Sequence, residues 1–258
     1  MRLLNINTFQ LETYNDEQLI PIYAILSHTW GEEEVLFKDI HNDPIKEEFQ
    51  QLQRFCNEAR NFGVSHVWID TCCINKESSS ELSEALNSMF SWYRNARLCI
   101  AYLSDVFTVN QSIDHSRWFT RGWTLQELIV PTEIWFYTRE WKFIGIRSTL
   151  ADQIMQLTGV NKRVLEKDGA KTLPDFSVAI RLSWAASRKT TRPEDRAYSL
   201  MGLFGVNIPT IYGEGIEAAF FRLQMEIYKT VPDHSILAWG DVIYSSWEKD
   251  HLKPEIRE

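Results

Sequence analysis

The chain has 258 residues, 44% of them apolar and 24% charged, with 27 Lys and Arg against 35 Asp and Glu, for a formal charge of −8. These are globular values, which argue against disorder over most of the chain. The acidic balance argues against a nucleic-acid binder that works by bulk charge, and no apolar run reaches the ~18 residues of a membrane span. The four cysteines (Cys56, Cys72, Cys73 and Cys99) are too few for a disulfide framework, which reads as a reduced, cytoplasmic protein.

In chain order, Ile22 to Ser27 is a short apolar run suited to a strand buried on both faces, and His28-Thr29-Trp30-Gly31 follows as a loop. Asp43-Pro44 predicts a helix start, with Phe49, Leu52, Phe55, Cys56, Ala59 and Phe62 on one face and Gly63 as the stop. Val64 to Asp70 predicts a second strand. A capping box, Ser78-x-x-Glu81, opens a helix that buries Leu82, Ala85, Leu86, Met89, Phe90 and Tyr93. Arg97 to Leu103 predicts a third strand. Trp118 to Leu128 reads as loop and then short helix, closed by Pro131, and Glu133 to Thr138 predicts a fourth strand. The β-α-β-α-β-α-β order over residues 20–140 predicts a parallel sheet with helices on both faces. Ligands then bind beyond the carboxyl ends of the strands, here Ser27-His28, Asp70-Thr71 and Ser104-Asp105. From about residue 148 the pattern turns helical: Thr149–Thr158, Asp175–Ser187, Asp195–Leu203 and Glu217–Lys229, the last with Phe220, Leu223, Ile227 and Tyr228 on one side. We expect one domain over 1–258, with an α/β core at about 20–145 and a helical extension at about 146–240.

Motifs narrow the chemistry. The cysteines lack zinc-ligand spacing, and no metal site is expected. A Cys72 or Cys73 nucleophile would need the His28 imidazole within about 4 Å. There is no Gly-x-Ser-x-Gly elbow and no glycine-rich dinucleotide or P-loop motif. Gly213-Glu214-Gly215 could cradle a phosphate, although a plain helix start is the simpler reading. Arg192-Pro193-Glu194-Asp195-Arg196 reads as a salt-bridge network clamping the extension. Glu127 is the carboxylate of most interest. It lies four residues after Trp123, so ring and carboxylate share a helix face, an arrangement that could stabilise a sugar cation.

Several blocks in order resemble the fungal heterokaryon-incompatibility (HET) domain: Tyr23-Ala24-Ile25-Leu26-Ser27-His28-Thr29-Trp30-Gly31, Trp68-Ile69-Asp70-Thr71-Cys72-Cys73-Ile74-Asn75, and Trp118-Phe119-x-Arg121-Gly122-Trp123-Thr124-Leu125-Gln126-Glu127-Leu128. Trp184-Ala185-x-Ser187-Arg188, Glu194 to Leu200, and Tyr212-Gly213-Glu214-Gly215 extend the likeness over roughly 20–240. Lys76 departs from a Gln common in the family. The resemblance implies a role in non-self recognition and cell death, as one module of a longer receptor-like chain with regulatory domains. Trp123 to Leu128 is also similar, more distantly, to the segment that carries the catalytic Glu of NAD-cleaving TIR domains. That likeness implies a TIR-like, flavodoxin-like sheet flanked by helices, with a helical C-terminal extension that TIR domains lack. It implies NAD+ as substrate rather than cofactor, Glu127 as catalytic residue and self-association on activation. Ser27, His28, Trp30, Gly31, Asp70, Arg121 and Trp123 are the expected substrate-binding residues. Trp30 or Trp123 would stack on a ring, while Arg121 and a helix N-terminus after Gly31 would hold pyrophosphate. The alternative is a non-catalytic signalling module that works by self-association, its aromatic blocks forming an interface.

Overall fold

A computed structural model of the chain describes residues 1–31, 34–40, 47–166 and 168–238. Seven strands form one sheet: β1 (Arg2–Asn5), β2 (Leu11–Thr13), β3 (Tyr23–His28), β4 (His66–Trp68), β5 (Leu98–Leu103), β6 (Ile134–Thr138) and β7 (Phe143–Ile146). Their order is β2-β1-β4-β3-β5-β6-β7. The four strands expected from the sequence are the parallel core, β4-β3-β5-β6, the order of flavodoxin-type sheets. The expected parallel pattern holds over residues 20–140, and antiparallel strands outside that span make the whole sheet partly parallel. The β1–β2 hairpin adds antiparallel to β4 at one edge, and β7 adds antiparallel to β6 at the other.

The central strands are apolar on both faces because both faces are covered. All six residues of β5 are buried, as are five of six in β3. The first crossover helix, α1 (Glu47–Asn61), buries Phe49, Leu52, Phe55, Cys56 and Ala59 as expected, and Phe62 packs half-buried beyond its end. Gly63 stops it at φ +72°, a conformation that favours glycine. The expected Asp43-Pro44 start lies outside the described residues. The second crossover helix, α2 (Ser79–Asn95), is capped by the Ser78 side chain, which accepts from the Glu81 amide. The Glu81 carboxylate does not complete the box: it accepts from the Asn75 amide at 2.8 Å and from Arg2 at 2.6 Å. One crossover steps from β3 to β4 and the next passes back over β3 to β5. Right-handed connections of opposite direction place α1 on one face and α2 on the other.

The short helix α3 (Thr124–Ile129) is buried throughout and packs against α2 and β3. Arg147 closes its far end, donating to the carbonyls of Leu128, Ile129, Pro131, Thr132 and Leu165. The extension is helical but more broken than expected: α4 (Ala151–Thr158), α5 (Lys162–Glu166), α6 (Gly169–Thr172), α7 (Val178–Ser183), α8 (Asp195–Tyr198), α9 (Met201–Phe204) and α10 (Ile216–Thr230). The segment expected as one helix from Asp195 to Leu203 is two single turns. On α10 the buried residues are Ala219, Leu223 and Ile227. Phe220 is half-buried and Tyr228 is exposed, so the side they were expected to share is only partly turned inward.

The extension joins the core through Arg121-Gly122. Lys189 bridges to Arg121, with the Gly122 amide donating to the Lys189 carbonyl at 2.8 Å and the Lys189 amide donating to the Thr120 carbonyl at 2.7 Å. A Cβ on Gly122 would meet Thr190 Cγ2 at 2.4 Å, so only glycine lets the two segments approach this closely. A single buried apolar cluster runs from Leu3 to Ile236. Among the described residues, no helix is long and apolar enough to cross a membrane.

Candidate functional site

Neighbouring residues on a strand point to opposite faces, and at the carboxyl end of β3 this sets up the site. Ser27 points to α3 and donates a very short hydrogen bond to Glu127 Oε2. Trp118 Nε1 donates to the Ser27 oxygen at 2.8 Å, fixing the hydroxyl so that its proton goes to the carboxylate. His28 turns the other way, its Nε2 3.1 Å from Glu34 Oε2. Ser27 and His28 therefore serve different partners and form no relay.

Glu127 is 6% exposed. Burial raises its pKa to about 7; nearby Asp70 also raises it, while the Ser27 hydrogen bond, Arg121 and His28 pull the other way. A carboxyl group titrating near neutrality on the wall of a cleft is the kind of perturbed group that marks functional sites. It lines a cavity of about 180 Å³ together with His28, Trp30, Asp70, Arg121 and Trp123. Six of the eight expected site residues thus share one cavity. Ser27 is fully buried behind Glu127 as its hydrogen-bond donor, while Gly31 lines a neighbouring cavity. Among the described residues no helix follows Gly31 before α1: Leu36 to Ile40 include a turn.

The mouth is cationic and aromatic. Trp30 Nε1 donates to Asp70 Oδ2 at 2.8 Å, and its ring lies under Lys76 Nζ, 3.5 Å from the centroid, with Arg121 at 5.2 Å. Lys76 also pairs with Asp70 at 3.5 Å. Burial opposes the charge of Asp70, yet Lys76, His28, Arg121 and the Trp30 hydrogen bond outweigh it and keep its pKa low. Burial likewise opposes the His28 charge, but Glu34, Asp70 and Glu127 together raise its pKa. The site therefore holds a charged Asp70 close to a Glu127 that resists ionisation.

The far wall comes from the extension, which sequence reasoning did not bring to the site. Thr190, Thr191, Arg192, Asp195 and Tyr212 line the same cavity. Arg192 lies over the Tyr212 ring at 4.0 Å, and the Tyr212 hydroxyl donates to Asp195 Oδ1 at 2.9 Å. Arg188 is a buried cation that donates to the Arg121 carbonyl at 2.8 Å and to Thr124 Oγ1 at 3.0 Å; burial lowers its pKa to about 9, and Glu127 opposes that fall. Trp118, Lys76 and Arg188 stood in recognisable motifs, but nothing in their spacing gave their partners.

The other expectations resolve simply. The Gly213 and Gly215 amides donate to Glu194 Oε1 at 2.9 and 3.1 Å, so an internal carboxylate fills that cradle. The Arg192–Arg196 segment holds the extension through hydrogen bonds rather than the expected salt bridges: Glu194 accepts from those amides, Asp195 accepts from Tyr212, and Arg196 donates to the Ala186 carbonyl. All four cysteines are free and buried. The Cys72 thiol is pushed well above its usual range by its hydrogen bond with Cys73 and by burial, which disfavours the thiolate a nucleophile needs. Among the described residues, no group of His, Cys, Asp and Glu is disposed to hold a metal ion.

Residues 23–107 match the family described as heterokaryon incompatibility protein (HET), and residues 218–257 match a domain of unknown function (DUF8212). The vegetative incompatibility protein HET-E-1 of Podospora anserina is 47% identical over 224 residues; the alignment covers 81% of this chain and 16% of that protein, so the chain spans about a sixth of its relative. No solved structure gives a significant match. The blocks that cover β3, β4 and their loops, together with the identity across most of the chain, establish that it belongs to the heterokaryon incompatibility (HET) domain family.

Proposed function

We propose that this chain is a cell-death effector module of fungal non-self recognition and that it cleaves NAD+ at the nicotinamide–ribose bond, with Glu127 as the catalytic carboxylate. The observation that carries this reading is the Glu127 constellation: one buried carboxylate, oriented by Ser27 and Trp118, on the wall of a cavity with an aromatic and cationic mouth.

One carboxylate suffices for this bond. Ordinary glycosides need a second, protonated carboxyl group because the leaving oxygen must take a proton. Nicotinamide departs from a pyridinium: the C–N bond breaks, its electron pair neutralises the ring nitrogen, and positive charge moves to the ribose. Glu127 stabilises that oxocarbenium-like charge from a preorganised position. Water then attacks the sugar carbon and gives up a proton, and a carboxylate with a pKa near 7 accepts it readily. Trp30 and Trp123 offer ring surfaces, and Arg121 and Lys76 offer charge for phosphate.

The test is nicotinamide release by the purified 258-residue chain at high protein concentration, wild type beside Glu127→Gln. We expect turnover that rises as pH passes about 7, where Glu127 ionises, and that falls by at least about 10²-fold in the variant. Equal turnover in the two proteins would overturn the assignment.

A second reading keeps one specific observation. Phe221, Met225 and Tyr228 on α10 are exposed at i, i+4 and i+7, an apolar stripe suited to a partner surface. Absence of turnover even in clustered protein would favour a non-catalytic association module.

A further inference from the structure

A larger cavity, of about 450 Å³, adjoins the Glu127 cavity and shares His28 with it. It opens where β3 and β5 end, lined there by Thr29 and Ser104, whose hydroxyls lie 3.4 Å apart. In the parallel order β4-β3-β5-β6, the chain leaves β3 to one side first and then passes to the other. The crevice beside β3 is therefore the switch point, where open α/β sheets bind ligands. Its volume falls within the ~300–1,000 Å³ of small-molecule sites, whereas the Glu127 cavity is too small to enclose a dinucleotide.

Three features of the wall point to one ligand chemistry. Arg139 is exposed at the rim, with its guanidinium 5.3 Å from the Phe107 ring and no carboxylate bonded to it among the described residues. Arg117 faces the same cavity but is held loosely by Asp105 at 3.7 Å. The His28 side chain is 8% exposed, and its Nδ1 is buried with no hydrogen-bond partner. Among the described residues the acidic one in the wall, Glu34, is already engaged, accepting from the Gly31 amide at 2.7 Å and facing His28 at 3.1 Å. Finally, Trp141 holds φ at +56° in the β6–β7 turn. That left-handed position normally takes Gly or Asn, and a bulky residue there is strained. The strain sets a half-buried indole into the cavity wall, stacked on Tyr102 at 4.9 Å and anchored to Gln51 at 2.6 Å.

We infer that this cavity is a second ligand site that takes a nucleoside phosphate, with the base against Trp141 and the phosphates on Arg139 and Arg117. The ligand has two sources of the same chemistry, the adenylate half of a bound dinucleotide or a free nucleotide.

The site is tested by calorimetric titration of ADP into the 258-residue chain carrying Glu127→Gln, which is independent of any turnover. ADP binding is expected, weakened about tenfold or more by Arg139→Glu and by Trp141→Ala, and less by Arg121→Glu. Arg139 is exposed on a turn, so its variant keeps the test valid if Trp141→Ala misfolds. No heat at millimolar ADP overturns the inference. So does binding lost in Arg121→Glu yet intact in Arg139→Glu, which would put ADP in the Glu127 cavity. In wild type, ADP that raises KM for NAD+ identifies the dinucleotide's own adenylate half, and ADP that changes kcat alone identifies a free effector; both support the site. If the chain turns over no NAD+ at all, the catalytic proposal fails while the ADP titration still decides this one.

Discussion

At Glu127 the fold works against its own stability. The pKa rises from 4.5 to about 7, so the folded state favours the protonated acid by about 3 kcal/mol over the ionised one. The sign follows from linkage: a raised pKa means the folded chain binds the proton more tightly than the unfolded chain. This contribution is fully present below about pH 4.5 and is lost as pH rises through 7. Glu127→Gln keeps the shape and cannot ionise. It should therefore gain stability relative to wild type at pH 8, by up to about 3 kcal/mol, and show little gain at pH 4.5. Urea unfolding at the two pH values checks this. An equal difference at both would mean that Glu127 is not the buried, reluctant acid described above.

At the scale of elements, α3 carries Glu127 on only six residues, too few to be stable alone. Its position depends on its ends. Thr124 Oγ1 donates to the Trp118 carbonyl at 2.5 Å near the start, and Arg147 gathers the carbonyls at the finish. Burial lowers the Arg147 pKa to about 10, which leaves it charged at neutral pH. Arg147→Leu would relieve a buried charge but strip donors from several buried carbonyls. We expect a net loss of about 3 kcal/mol, read as a lower urea midpoint with unchanged m. A loss below about 1 kcal/mol would show that water replaces the guanidinium. The same scale explains what the sequence made legible. The β3, β5 and β6 segments are apolar on both faces and bounded by turns, so each reads as a strand. By contrast, β1, β2 and β7 are three or four residues long and gain their identity only by pairing. On α10, Phe220, Phe221, Met225 and Tyr228 continue the apolar arc of Ala219, Leu223 and Ile227 around most of the helix, so apolar pattern alone could not pick the last three as the inner face. At the site, the parallel topology collects Ser27, Asp70 and Glu127 by rule. Thr190, Arg192, Asp195 and Tyr212 arrive by long-range packing, which no spacing along the chain encodes.

At the scale of the whole molecule, the unit that folds is larger than the segment matched to the family. Residues 23–107 include β3, β4 and β5 but omit β6, α3 with Glu127, and the N-terminal hairpin. The hairpin packs into the core and pairs with the sheet. Leu3, Leu4 and Ile6 are essentially fully buried, and Leu4 and Asn5 register with Val67 and His66 of β4. Arg2 reaches across to Glu81 at the start of α2. Tyr14 and His66 hold Glu12, whose pKa is pulled down to about 2 mainly by the Tyr14 and Asn5 hydrogen bonds. Burial of three aliphatic side chains contributes about 2 kcal/mol each, a sum within the ~5–15 kcal/mol by which whole domains are stable. Removing residues 1–20 would also leave β4 as a bare edge, open to pairing with other chains. A 21–258 chain should therefore aggregate or lose its cooperative thermal transition, although every expected site residue is still present. A monomeric 21–258 protein with an unchanged Tm would show instead that the hairpin only covers a sheet that stands without it.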